Sequence, residues 1–141
     1  MWPRVYERRL EAWSDLRQQV QNMPIESALA QINAWWFDSP WVPYYLHWDD
    51  QSRWPDPWQL LSENIYCDLA RGLGILYTIA LLDRADITDA QLVLTADDHN
   101  LVQVHQEKYI MNWERHSIVN TNQDISIKRR FTQHQAFQQY N

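Results

Sequence analysis

Residues 64–82 impose the strongest constraint on the fold. Ile65, Leu69, Leu73, Leu76, Ile79 and Ala80 recur at helical spacing, and Ile75, Tyr77, Leu81 and Leu82 fill much of the remaining circumference. A helix apolar nearly all round is buried on several sides, so the rest of the chain has to wrap it. Gly72 and Gly74 are the only glycines in the chain, and both lie inside this helix. Each costs about 1 kcal/mol relative to Ala in a helix interior. Close approach of another backbone, or a local kink, would offset that cost. With no glycine elsewhere, turns that need φ > 0 are scarce or fall to Asn and Asp.

The flanking segments supply the wrapping. In residues 4–21, Tyr6, Leu10, Trp13, Leu16 and Val20 mark an amphipathic helix. A second helix opens at Pro24 and Glu26, carries Ile25, Ala28, Leu29, Ile32, Trp35 and Trp36 on one face, and ends before Ser39-Pro40. After the central helix come strand patterns at Gln91 to Thr95, His99 to Val104 and Tyr109 to Trp113. Asp97-Asp98 and Gln106-Glu107-Lys108 read as the turns between them, and Ser117 to Val119 as an extension of the sheet. In the middle strand His99, Leu101 and Gln103 share one face, with Asn100, Val102 and Val104 on the other. The expected fold is α+β, with N-terminal helices and a central buried helix packed on a small antiparallel sheet.

A length of 141 residues fits one domain. Its parts are a helical hairpin at 4–37, a Trp/Pro-rich loop at 38–62, a core at 63–119 and a polar tail at 120–141. The tail has one short alternation, Ile125-Ser126-Ile127, which reads as a peripheral strand followed by a flexible or partner-bound end.

Charge and hydropathy narrow the function classes. The net charge of −6 disfavours a nucleic-acid surface, which would be basic. The one basic cluster, Lys128-Arg129-Arg130, reads as a solvated turn or strand end. No apolar run reaches the ~18 residues of a membrane span. Met1-Trp2-Pro3-Arg4 lacks the apolar stretch of a signal peptide. The expected setting is the compartment of synthesis or a larger exported assembly. A single cysteine excludes an intramolecular disulfide.

Nine Trp and seven Tyr are a large excess. They either wedge the core with rings or form a sticky surface, since Trp and Tyr are favoured interface anchors. Residues 38–58 concentrate them, with Trp41, Tyr44, Tyr45, Trp48 and Trp54 interleaved with prolines. Regular structure is not expected there, because each Pro restricts its neighbour and removes a donor. The loop is a packed arm or the wall of a binding groove, and these five rings are the candidate partner contacts. Protein partners or a homo-oligomer are the expected setting. His47, Asp49 and Asp50 match no strong metal-site spacing, and neither metal nor cofactor is expected.

Cys67 carries the chemical signal. It falls where the central helix begins, with Ser62 or Asn64 as candidate caps. His99 opens a following strand and Asn112 lies on the next. A thiol at a helix start, a histidine and a carboxamide, in that order, are the parts of a Cys-His-Asn triad. A helix N-terminus and a nearby imidazolium activate a thiol, whose free pKa is about 8.5. The alternative is a small buried hydrophobe.

From residue 54 to 114 the order of elements resembles the bacterial transglutaminase-like cysteine proteinases, of transglutaminase-like or papain-like fold. Trp54, Pro57 and Leu60-Leu61 match the approach to the nucleophile, and Cys67, Asp68 and Ala70 the nucleophile segment. Leu92-Val93-Leu94, His99-Asn100-Leu101-Val102 and Tyr109-Ile110-Met111-Asn112 match the three strands. The departures are Ile65-Tyr66 before the cysteine and Asn112 in place of an aspartate. The resemblance implies a hydrolase of peptide or isopeptide bonds with Cys67, His99 and Asn112 as catalytic residues. Small transglutaminase-like proteins also occur in tailed bacteriophages, and a compact, Trp-rich chain with a polar tail would suit a virion. A catalytically inactive assembly protein of a virion (baseplate, tail or neck) is therefore the alternative, in the bacterial cytoplasm or the virion.

Overall fold

The structure, a computed structural model, describes residues 2–82, 84–104, 108–118 and 125–138. Helices α1 (Tyr6–Val20) and α2 (Ile25–Phe37) form the expected hairpin. A 3₁₀ segment (Trp48–Arg53), helix α3 (Pro57–Glu63) and helix α4 (Asp68–Leu82) follow. Strands β1 (Gln91–Thr95), β2 (Asn100–Val104), β3 (Tyr109–Met111) and β4 (Ile127–Thr132) form one antiparallel sheet in the order β3-β2-β1-β4, and α5 (Gln133–Gln138) ends the described chain.

Helix α4 is the hub. It packs on β1 and β2 and touches α1, α2, α3 and α5. Both glycines answer to close approach. A Cβ on Gly72 would stand 2.7 Å from Leu92 Cδ1, and one on Gly74 would stand 2.6 Å from the Trp36 ring. The intruders are side chains rather than another backbone. Thr78 ties the helices together: its hydroxyl accepts the indole N–H of Trp13 at 2.8 Å and of Trp36 at 3.0 Å, and donates to the Gly74 carbonyl.

Most of the ring excess is core. Trp2, Trp35, Trp36 and Tyr66 form one aromatic cluster, and Trp48, Trp54 and Phe131 another, at centroid separations of 4.5–5.8 Å. Trp48 and Trp54, expected as partner contacts, are buried in the main core. The tight ring–ring packing against β4 is the reason.

Three further expectations are corrected. The 38–62 segment holds regular structure. Asp56 and Gln59 form a capping box and Pro57 sits in the first turn, so proline starts α3 rather than preventing it. Ser62 and Asn64 do not cap the central helix. Asn64 closes α3 in the left-handed region at φ 57°, and α4 starts only at Asp68. The tail, in its described part, has the expected peripheral strand, at Ile127–Thr132, but continues into α5 and the core. β4 pairs with β1, Phe131 and Ala136 join the core, and Lys128 and Arg129 pair with Asp98 and Asp49. The basic cluster is thus a strand anchored by ion pairs. The Gln106-Glu107 turn and Val119 lie outside the described residues.

The positive-φ expectation is met among the described residues: Asn64, Asp98 and Asn112 hold those positions, and neither glycine does. No helix among them is long and apolar enough to cross a membrane.

Candidate functional site at the start of helix α4

Cys67 directly precedes α4. Its carbonyl accepts the first helical bond, from the Arg71 N–H at 2.9 Å. That is the N-cap position, at the positive end of the helix dipole. The residue is only 3% exposed. An extended stretch pairs with the residue before it. Tyr66 bridges to Trp41, the Val42 N–H donates to the Tyr66 carbonyl, and the Tyr66 N–H donates to that of Pro40. The Trp41 indole N–H reaches the Asp68 carboxylate at 3.2 Å.

Asn112 meets the same helix end. It ends β3 in the left-handed region at φ 71°, a conformation Asn tolerates better than most residues. Its Nδ2 donates to the Asp68 and Asn100 carbonyls, each at 2.9 Å. Its Oδ1 accepts from Arg71 Nε at 2.7 Å. Its backbone N–H donates to Asn33 Oδ1, so α2 joins the network. Both amide hydrogens are therefore used. Arg71 also pairs with Asp68 at 3.1 Å and stacks on the Phe37 ring at 3.8 Å. Burial draws its guanidinium below the ordinary value, while Asp68 and then Cys67 pull the other way.

His99 does not join them. Its Nε2 lies 3.4 Å from the Asp97 carboxylate, and its side chain is 69% exposed. Strand alternation explains this. Val102 and Val104 belong to the core around α4, whereas Leu101 packs with Val93 and Ile110 on the outer face. His99 shares the parity of Leu101. The inward position is Asn100, whose Oδ1 accepts the Trp48 indole N–H at 2.7 Å.

No family model and no curated protein matches the chain. Solved structures do. Legionella pneumophila LapG superposes with a TM-score of 0.66 at 11% identity, over 89% of this chain and 75% of that one. Its calcium-bound form gives 0.63 at 11% identity, over 85% and 72%. The fold is transglutaminase-like.

The cysteine and the carboxamide meet at one helix end. Sequence reasoning missed Arg71, Asn100 and Asn33. Arg71 had a signal, being the one basic residue in a mostly apolar helix and three positions after Asp68. Asn33, buried on α2, had none, since its partners are 79 or more positions away. Of the five loop rings, Trp41 is 53% and Tyr44 83% exposed, and Tyr45 is half-buried with its hydroxyl bonded to Glu63.

Proposed function

We propose that this chain is a non-catalytic protein of transglutaminase-like fold that works as an assembly subunit through protein partners. The observation that carries this reading is the separation of His99 from the thiol. A general base needs hydrogen-bond reach of the proton it takes. Here the imidazole sits beside Asp97 in solvent while Cys67 is buried. Exposed Trp41 and Tyr44 supply rings of the type that anchor interfaces. A virion component of a tailed phage (baseplate, tail or neck) is the setting we favour. The support is that small transglutaminase-like proteins occur in tailed bacteriophages, together with a compact core wedged with tryptophan.

One observation favours a second reading. The thiol stands at a helix N-cap, with Asn112 bonded to the same helix end. In a hydrolase of peptide or isopeptide bonds Cys67 is the nucleophile, His99 the base and Asn112 the orienting group. That reading requires His99 to leave the outer face of the sheet and Asn112 to exchange one of its bonds.

Alkylation and mass measurement separate the two. The assembly reading expects slow iodoacetamide labelling of Cys67 in the native protein and no peptidase turnover. It also expects a complex or oligomer, seen by light scattering, that Trp41→Ala with Tyr44→Ala weakens. Turnover that Cys67→Ala and His99→Ala abolish establishes the hydrolase instead.

A further inference from the structure

We infer that residue 100, not residue 99, is the β2 position that faces the Cys67 end of α4, and that Asn100 fills it with an amide strut that cannot act as a base. The inference rests on the non-catalytic reading and says which side chain accounts for it.

Three observations converge. The strand's inward parity belongs to Asn100, Val102 and Val104, of which both valines are in the core around α4. The Asn100 carbonyl is held by the same Asn112 Nδ2 that holds the Asp68 carbonyl, so residue 100 lies one amide group away from the residue after Cys67. The Asn100 side chain turns inward to accept from Trp48, a core residue, while the neighbouring His99 is in solvent.

The polar groups around this point form a chain: Asn33 to Asn112, Asn112 to Asn100 and Asp68, Asn100 to Trp48, with Arg71 closing on Asn112 and Asp68. The amide side chains of Asn33, Asn112 and Asn100 each make a structural bond. None of them takes a proton at neutral pH. Asn100 joins the sheet to the aromatic segment through its bond to Trp48. It is a positioning residue: through Trp48 it holds the 3₁₀ segment against the sheet.

The test moves the imidazole by one position. Variants His99→Ala, Asn100→His and the exchange His99→Asn with Asn100→His are labelled with iodoacetamide from pH 5 to 9, beside Asn100→Gln as a control for loss of the Trp48 bond. His99→Ala is expected to label at the wild-type rate at every pH. The two variants with histidine at 100 are expected to label about tenfold faster than Asn100→Gln at pH 6–7, the change that one pKa unit of thiol activation produces. Equal rates for Asn100→His and Asn100→Gln in folded protein overturn the inference, and so does slower labelling in His99→Ala. If histidine at 100 prevents folding, NMR titration of His99 in wild type and Cys67→Ala decides. Coincident curves support the inference, and a shifted curve overturns it. Hydrolysis by the wild type would sink the non-catalytic reading separately, since none of these labelling results requires it.

Discussion

The Nδ2 atom of Asn112 lies 3.0 Å from the point where a Cβ on Gly72 would stand. This contact brings the end of β3 against α4, and it sets the distance between helix and sheet at the candidate site. On the other flank of the same point Leu92 Cδ1 is 2.7 Å away. Gly72 is therefore required by packing rather than by backbone conformation.

Gly72→Ala tests that requirement. Alanine gains about 1 kcal/mol in helix propensity. Overpacking costs about 1–3 kcal/mol. A net loss of stability is expected by urea unfolding. Gly74→Ala is expected to lose more, because three Trp36 ring atoms lie 2.6–2.8 Å from its Cβ position and the indole is held by Thr78. A stabilised Gly74→Ala protein would contradict the packing described.

Thr78→Val isolates a polar node inside the core. The valine keeps the shape and leaves the Trp13 and Trp36 indole N–H groups without their acceptor. A buried donor left unpaired costs about 1–3 kcal/mol. A loss of about 2 kcal/mol or more is expected, with Thr78→Ser close to wild type. Double-mutant cycles with Trp13→Phe should show coupling, and simple additivity would refute the shared acceptor.

Asn112→Ala and Cys67→Ala are expected to differ in stability. The first removes three buried or half-buried side-chain bonds, which tie β3 to Asp68, Asn100 and Arg71. A loss of about 3 kcal/mol follows from the orphaned partners. The second removes one small buried apolar atom, for about 1 kcal/mol. Chemical unfolding of both, on one protein stock, checks the order.

Alkaline pH should weaken the fold through Tyr66. Burial pushes its hydroxyl well above the usual tyrosine range, with Arg9 opposing and Glu63 adding. Below the unfolded value of about 10 both states keep the proton and the contribution is complete. Above it only the unfolded chain loses the proton, so stability falls as pH rises towards the folded value. Tyr66→Phe loses the bond to the Leu60 carbonyl, about 1 kcal/mol at pH 7, and should lack this part of the alkaline fall. Melting curves from pH 7 to 11.5 compare the two, and parallel declines would remove Tyr66 from the account.

Removing residues 125–141 should unfold the protein rather than release a dispensable tail. β4 covers β1, and Phe131 packs edge-on to Trp54 at 5.1 Å. Phe131→Ala alone is expected to cost about 3–5 kcal/mol. Circular dichroism of the truncated chain gives the answer, and a native-like cooperative melt would overturn it.

The sequence alone determined the α+β class, the buried central helix, the helical hairpin and the first three strands. These follow from local period: 3.6 for the helices, 2 for the strands. It also determined that Asn and Asp take the left-handed positions, because the two glycines were committed to α4. Only the tertiary structure decided the rest. A proline-rich segment became α3 because Asp56 and Gln59 could cap it. A polar tail became β4 because β1 had an open edge and Trp54 a place for Phe131. His99 and Asn100 are adjacent in sequence, and which of them faces α4 is a matter of strand parity. That parity is fixed by where Leu101 and Val102 find their packing partners. Asn33, Arg71 and Asn112 come from three separate elements, and no local pattern joins them before the chain has folded.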